Sequence, residues 1–283
     1  MSLSIPEQSK QNAHAPAAAA DSLWRELQDA AREIIDREKE LKKFLSDSIL
    51  ERENFADALG YLLAGKLADD ILDADTLRAD LAGSLETDAS ILDACLGDMD
   101  AVLDRDPACT ERLTPFLYYK GFHALQAYRI TRQLWLSQRR TLALHLQSRS
   151  SERFGVDIHP GARIGKGIMI DHATGVVIGE TAVVEDNVSM LHGVTLGGTG
   201  KECGDRHPKV RRGVLLSAGA TVLGNIEIGE CARIGAGSIV LRSVPPYCTA
   251  VGVPARLIHC PDQSEEPALE MDHMFPQEPD YSI

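Results

Sequence analysis

The chain has no apolar run near the roughly 18 residues that a membrane-spanning helix needs. Its first twenty residues, which include QNAHAPAAAA, lack a basic stretch followed by an apolar one, so neither a membrane span nor a secretory signal is predicted. Positive charge is also short: 29 Lys and Arg stand against 42 Asp and Glu, a net charge of −13. Nucleic acids and anionic membrane surfaces require a concentrated positive footprint, so both are excluded as partners. C-x-x-C is absent. The six cysteines, Cys95, Cys109, Cys203, Cys231, Cys248 and Cys260, lie without tight pair spacing, which predicts free thiols in a reducing cytoplasm and argues against zinc or redox work. None of the nine histidines has a second histidine at the short spacing of the usual zinc motifs, so no metal is predicted. Phosphate cradles fail as well. A P-loop on Gly200-Lys201 would need glycine at Thr195 and Ser or Thr at Glu202, and a dinucleotide fingerprint from Gly198 would need glycine at Cys203.

What the sequence does contain is a period. An aliphatic residue returns every six positions in three registers: Ile158, Ile164, Ile170; then Ile178, Val184, Met190, Leu196; then Leu216, Val222, Ile228, Ile234, Val240. A small or aliphatic residue sits two places before each, from Val156 to Ser238. A period of six fits neither an α-helix nor an alternating strand; it predicts a parallel β-helix of roughly five stacked coils ending near residue 257. The spacing from Leu196 to Leu216 is too long for one coil, so the intervening GGTGKECGDRHPKVRRG is expected to bulge out as a loop.

Before the repeats, residues 22 to about 150 read as helical, with Trp24, Leu27, Ala31, Ile34, Leu41 and Leu45 on one stripe. Further helices are predicted over 54–67, 90–103 and 115–146, with Pro115 suited to a first turn. Residues 51–108 hold 15 acids and 4 bases, while 111–153 hold 8 bases and 2 acids. Solvated helix faces are the favoured reading of that segregation, ahead of pairing between the two stretches or with a neighbouring subunit. The expected organisation is α+β: a mobile tail over 1–21, a helical domain over 22–153, a β-helix over 154–260 and a flexible acidic tail over 261–283.

His159, His172 and His207 lie in or beside the repeats close to carboxylates. Asp157 and His172 are nearly one coil apart, so they can share a corner, the carboxylate holding one imidazole nitrogen and leaving the other as a base. Asp171 is the rival partner, set aside because successive strand side chains point to opposite faces. By spacing alone, His172 serves equally well as a polar corner residue.

DRDPAC (104–109), KGFHALQAYRI (120–130), VDIHPGARIGKGIMIDHATG (156–175), GVTLGGTGK (193–201), GDRHPK (204–209) and GVPAR (252–256) resemble the serine O-acetyltransferases, bacterial and plant enzymes that open cysteine biosynthesis. The resemblance implies a left-handed β-helix that trimerises, with two trimers joined by the helical domains into a hexamer. It implies no permanently bound cofactor, acetyl-CoA as cosubstrate in the groove between neighbouring β-helices, and direct acetyl transfer to the L-serine hydroxyl. On this sequence His172 becomes the general base and Asp157 its orienting partner. Asp106 and Asp171 become the holders of the serine ammonium, with Arg206 and His207 at its carboxylate. For acetyl-CoA, Gly198, Ala218, Gly219, Ala236 and Gly237 would admit the pantetheine arm, and Lys209 or Arg256 would meet phosphates. L-Cysteine is expected to inhibit at the serine site, and the Ile283 carboxylate to enter O-acetylserine sulfhydrylase. The alternatives are a hexapeptide acyltransferase acting on a sugar or amino-sugar, a zinc carbonic anhydrase on the same β-helix, and a non-catalytic scaffold that presents the tail.

Overall fold

The computed structural model describes residues 7–200, 203–261 and 266–271. Its contacts divide into two compact units, Met1–Phe154 and Gly155–Ile283. The first contains α1 (Glu7–Arg37), α2 (Lys42–Leu45), α3 (Phe55–Leu67), α4 (Ala74–Thr87), α5 (Ala89–Arg105), α6 (Leu113–Tyr118), α7 (Lys120–Leu136) and α8 (Arg140–Phe154). Where a mobile tail is expected to reach residue 21, the structure has helix from Glu7 onward. Alanine is the best helix former, and Ala20, Leu23, Trp24, Leu27 and Ala31 are buried along one face of α1.

α3 starts where expected, with the Asn54 side chain accepting a bond from the Asp57 N–H at 2.9 Å. α4 is missing from the sequence reading although its signals are present. Asp73 caps it by accepting from the Thr76 N–H at 2.8 Å, and Leu77, Leu81 and Leu85 are buried at a spacing of four. The helix predicted over 115–146 is three helices, broken before Lys120 and again at Ser137–Arg139, where Gln138 takes a left-handed φ of 63°. The segregated charges pair with each other rather than merely facing solvent: Arg112 reaches Asp100, Arg129 Asp98, Arg139 Asp80 and Arg149 Asp69.

The second unit stacks coils. β1 (Val156–Ile158), β2 (Arg163–Ile164) and β3 (Met169–Ile170) make the first; β4 (Val176–Ile178), β5 (Val183–Val184) and β6 (Ser189–Met190) the second. β7 (Thr195–Gly197), β8 (Lys209–Val210) and β9 (Leu215–Leu216) make the third, and β10 (Thr221–Leu223), β11 (Glu227–Ile228) and β12 (Arg233–Ile234) the fourth. β13 (Ile239–Val240), a bridge at Val244 and β14 (Thr249–Gly252) form the fifth. Equivalent strands pair in parallel as three sheets, so Ile178 sits on Ile158, Leu196 on Ile178 and Val222 on Leu196, all buried. The six-residue period is therefore one inward aliphatic for each face of a three-sided coil. The described residues 198–200 and 203–208 lie outside the coil, a shorter excursion than expected because Lys209 and Val210 already pair with β5.

β14 returns as β15 (Ala255–His259) in an antiparallel hairpin with Thr249 opposite His259. That register places Cys248 opposite Cys260, and the two form a disulfide with a Cα–Cα distance of 4.1 Å. This corrects the expectation of six free thiols and removes the cysteines as an argument for a reducing compartment; a separation of 12 residues carries no signal until the hairpin closes it. Denatured without reductant, the chain should offer four thiols to a thiol reagent, Cys95, Cys109, Cys203 and Cys231. Reduction should expose all six and lower stability by about 2–4 kcal/mol in a denaturant titration.

The acidic tail is likewise ordered in part. α9 (Pro267–Glu270) lies on the β-helix with Ala268 buried. Ser189 Oγ donates to its carbonyl at 2.7 Å, and Arg212 pairs with Glu266 at 2.9 Å. An apolar residue to bury and a basic partner for one acid offset the cost of ordering this turn. Among the described residues no helix is long and apolar enough to cross a membrane.

Candidate functional site

The turns of the β-helix gather the chemistry-bearing residues at two of its corners. The first corner lies between the third and first faces, over 171–175, 191–194, 217–220 and 235–238. Gly193 N–H donates to Thr174 O, Gly219 N–H to His192 O and Gly237 N–H to Ala218 O, each within 2.8–2.9 Å. Gly193 and Gly219 both have φ of +70°, and a Cβ on Gly193 would stand 3.4 Å from the Gly219 Cα. With glycine at 193, 219 and 237 the stacked turns present bare backbone along this corner.

His172 stands on the first-coil turn of that corner, its side chain 74 % exposed. It and Ala173 hold left-handed φ values of 55° and 57°. For residues with a Cβ such backbone costs about 1–3 kcal/mol each and persists only where the surrounding structure enforces it. His172 Nε2 is 3.6 Å from Asp171 Oδ2, and the His192 ring meets it edge-on at 6.0 Å between centroids. The alternation used to set Asp171 aside does not operate here, because 171–175 is a turn and not a strand. Asp157 lies in the middle of β1 between the inward Val156 and Ile158, and its charge raises the His159 pKa against burial, the larger effect, which lowers it.

Ala218, Gly219, Ala236 and Gly237 belong to this same corner. Arg256 is brought above it by the β14–β15 hairpin, where Gly252 N–H donates to Ser238 Oγ at 3.0 Å. The other two residues expected at acetyl-CoA are elsewhere. Gly198 packs against Arg206 in the loop. Lys209 Nζ is fastened to Asp205 Oδ1 (2.6 Å), His207 O (2.6 Å) and Thr181 O (3.1 Å), so it anchors the loop.

That loop makes the second corner, between the first and second faces. Arg206 pairs with Glu180 at 2.9 Å, which holds the Glu180 carboxyl below its ordinary pKa. Thr181 N–H donates to His207 Nδ1 at 3.2 Å, and the His207 ring lies against Gly179, where a Cβ would clash. Burial first, then the Arg206 charge, push the His207 pKa down. Because the Thr181 N–H donates to it, Nδ1 is the accepting nitrogen, which leaves Nε2 to carry a proton. Glu180 and Thr181 carry no local motif, and coil stacking is the only signal that reaches them. Asp106 caps α5 in the helical unit and accepts from the Ala108 N–H at 2.9 Å. Ile283 lies outside the described residues. Among these no cluster of three metal-ligating side chains occurs, the histidines being divided between His172 with His192 and His159 with His207.

The profile of the family described as serine acetyltransferase, N-terminal, matches residues 23–127. Over 253 residues the chain is 52 % identical to the serine acetyltransferase of Haemophilus influenzae, covering 89 % of this chain and 94 % of that one. The chain belongs to the serine acetyltransferase family. It is thus an acyltransferase with a helical unit followed by a parallel β-helix. A serine acetyltransferase solved in complex with cysteine superposes with a TM-score of 0.87 at 52 % identity, covering 90 % of this chain and 98 % of that one. The serine acetyltransferase of Brucella abortus strain S19, in complex with coenzyme A, gives 0.82 at 49 % identity, covering 84 % and 95 %.

Proposed function

We propose that the chain transfers the acetyl group of acetyl-CoA to the hydroxyl of L-serine, giving O-acetyl-L-serine and CoA. The observation that carries this reading is the exposed His172 on a left-handed turn at the glycine-lined corner. A serine hydroxyl is a weak nucleophile. As its oxygen bonds to the acetyl carbon, His172 takes its proton; as the carbon–sulfur bond breaks, the imidazolium returns that proton to the departing thiolate. No acyl-enzyme is required.

In this reading Asp157 orients His172, Asp171 and Asp106 hold the serine ammonium, and Arg206 with His207 binds its carboxylate. Arg206 supplies the planar fork that suits a carboxylate, and Glu180 aims it. The pantetheine arm lies along Ala218, Gly219, Ala236 and Gly237, with Arg256 at a phosphate. At about 3.3 Å per residue, the four steps from Gly175 to Gly179 separate the His172 and His207 corners by roughly 13 Å. That separation supports a site shared by two copies, the first corner of one chain facing the loop of another, and hence a homo-oligomer built on trimers. L-Cysteine, which differs from serine by sulfur for oxygen, competes at the serine site, and Ile283 docks in O-acetylserine sulfhydrylase. The location proposed is the cytoplasm, supported by the resemblance and not by the cysteines.

The test is release of free CoA from acetyl-CoA with serine, homoserine or an amino-sugar as acceptor. Serine alone should support rapid release. Preference for the sugar, or release independent of any acceptor, overturns the reading.

A further inference from the structure

The helical unit holds a cavity of about 410 Å³ that contains none of the residues assigned above. It lies between the π turn Ser46–Leu50, α3 and the first turn of α4. Its volume falls in the range of small-molecule sites, which combine apolar walls with a few polar groups. Phe44, Tyr61 and Leu62 provide the walls, and Ser48, Lys66 and Arg78 the polar groups.

Three observations indicate what this cavity accommodates. Ser48 is 3 % exposed and lines the cavity. It sits in a π turn, closed by Glu51 N–H to Ser46 O at 2.9 Å, a distortion found most often at functional sites. Lys66 is half-buried with no carboxylate within ion-pairing distance among the described residues; burial and the neighbouring Arg153 charge both disfavour its ammonium. A cation so placed lacks a counter-charge. The acids at the cavity do not supply one: Asp47 is held by Lys43 at 2.7 Å, and Asp75 is exposed. The third observation is access. Gly65 is exposed at the cavity's edge on α3, and a Cβ there would meet nothing within 4 Å, so the cavity is open on this side.

The Tyr61 ring adds a preference for flat ligands. The Arg52 guanidinium lies 4.6 Å from its centroid and that of Arg78 5.9 Å, the latter fixed by Asp57. Aromatic and cationic groups together select a ligand with an apolar body and an anionic end.

We propose that this cavity binds an aromatic carboxylate, its carboxylate on Lys66 and Ser48 and its ring against Phe44, Tyr61 and Leu62. None of the cavity residues is assigned to the acetyl-transfer site, and the proposal does not depend on which acceptor that site uses.

Binding of 2-naphthoate to the full, assembled protein, followed by calorimetry, tests it. The expected result is saturable binding of about one ligand per chain, with 2-naphthamide, which has no charge, at least about tenfold weaker. Lys66→Met should weaken 2-naphthoate by at least about tenfold. Gly65→Leu should obstruct the open side of the cavity and weaken binding at least about tenfold while the melting temperature holds or rises. Equal binding of the amide, unchanged binding to a folded Lys66→Met protein, or no saturable binding to the wild type overturns the proposal.

Discussion

Replacing His172 with alanine should lower serine-dependent CoA release by about 100- to 10,000-fold, the range a general base contributes. The loss should fall on kcat with little change in KM for serine, because the base acts as the proton moves and Asp171, Asp106 and Arg206 still bind the ground state. Folding should be untouched. The side chain is 74 % exposed, and its removal opens no cavity. Alanine also leaves the left-handed backbone as strained as histidine does, so a melting curve that coincides with wild type is the control. The partner carboxylate follows from the same assay. Asp157→Asn should reduce kcat, while Asp171→Asn should mainly raise KM for serine. An Asp171 variant that loses kcat alone, with Asp157→Asn unaffected, would transfer the orienting role to the neighbour that stands 3.6 Å from the ring. Full activity in His172→Ala would remove the mechanism while leaving the fold intact.

The largest stability effect is expected in the helical unit. Arg129 Nη2 lies 2.6 Å and Nε 2.9 Å from Asp98 Oδ2, with Asp98 fully buried and Arg129 6 % exposed. Gln126 Nε2 also donates to Asp98 Oδ2 at 3.1 Å, and Cys95 Sγ donates to Gln126 Oε1 at 2.8 Å. Asp98→Ala removes the carboxylate from a guanidinium that water cannot reach, which should cost about 3–5 kcal/mol. Taking both charges away is different. Because desolvating two ions offsets most of their attraction, Asp98→Leu with Arg129→Met should recover much of that loss. Urea titrations of the wild type, the single variant and the double variant decide it. A double variant no better than Asp98→Ala would mean that the pair itself, rather than the avoidance of an orphaned charge, carries the stability.

These two expectations differ in how far the sequence foretold them. His172 is a candidate from the sequence through its spacing to Asp157, nearly one coil away, and through DHATG, which matches a family motif. The Asp98–Arg129 pair was not: its members are 31 residues apart on different helices, and charge segregation alone favours solvated faces. α4 was legible but passed over, since Asp73, Thr76, Leu77, Leu81 and Leu85 supply both cap and stripe. Cys248 and Cys260 were not legible, because the hairpin register that joins them depends on β14 pairing first with β12. Glu180 and Thr181 fall in the same class, brought to Arg206 and His207 by the stacking of one coil on another.

The sequence by itself determined the stack of coils, because an inward aliphatic every six residues leaves a three-sided turn as the arrangement that buries all of them. It determined the family through motifs spread over both units. Only the tertiary structure decided which polar residues share a corner, which charges pair, which cysteines bond and where a cation is left beside an empty space. Those outcomes depend on distances between residues far apart in the chain, and a local pattern of side chains holds no information on distances until packing has set them.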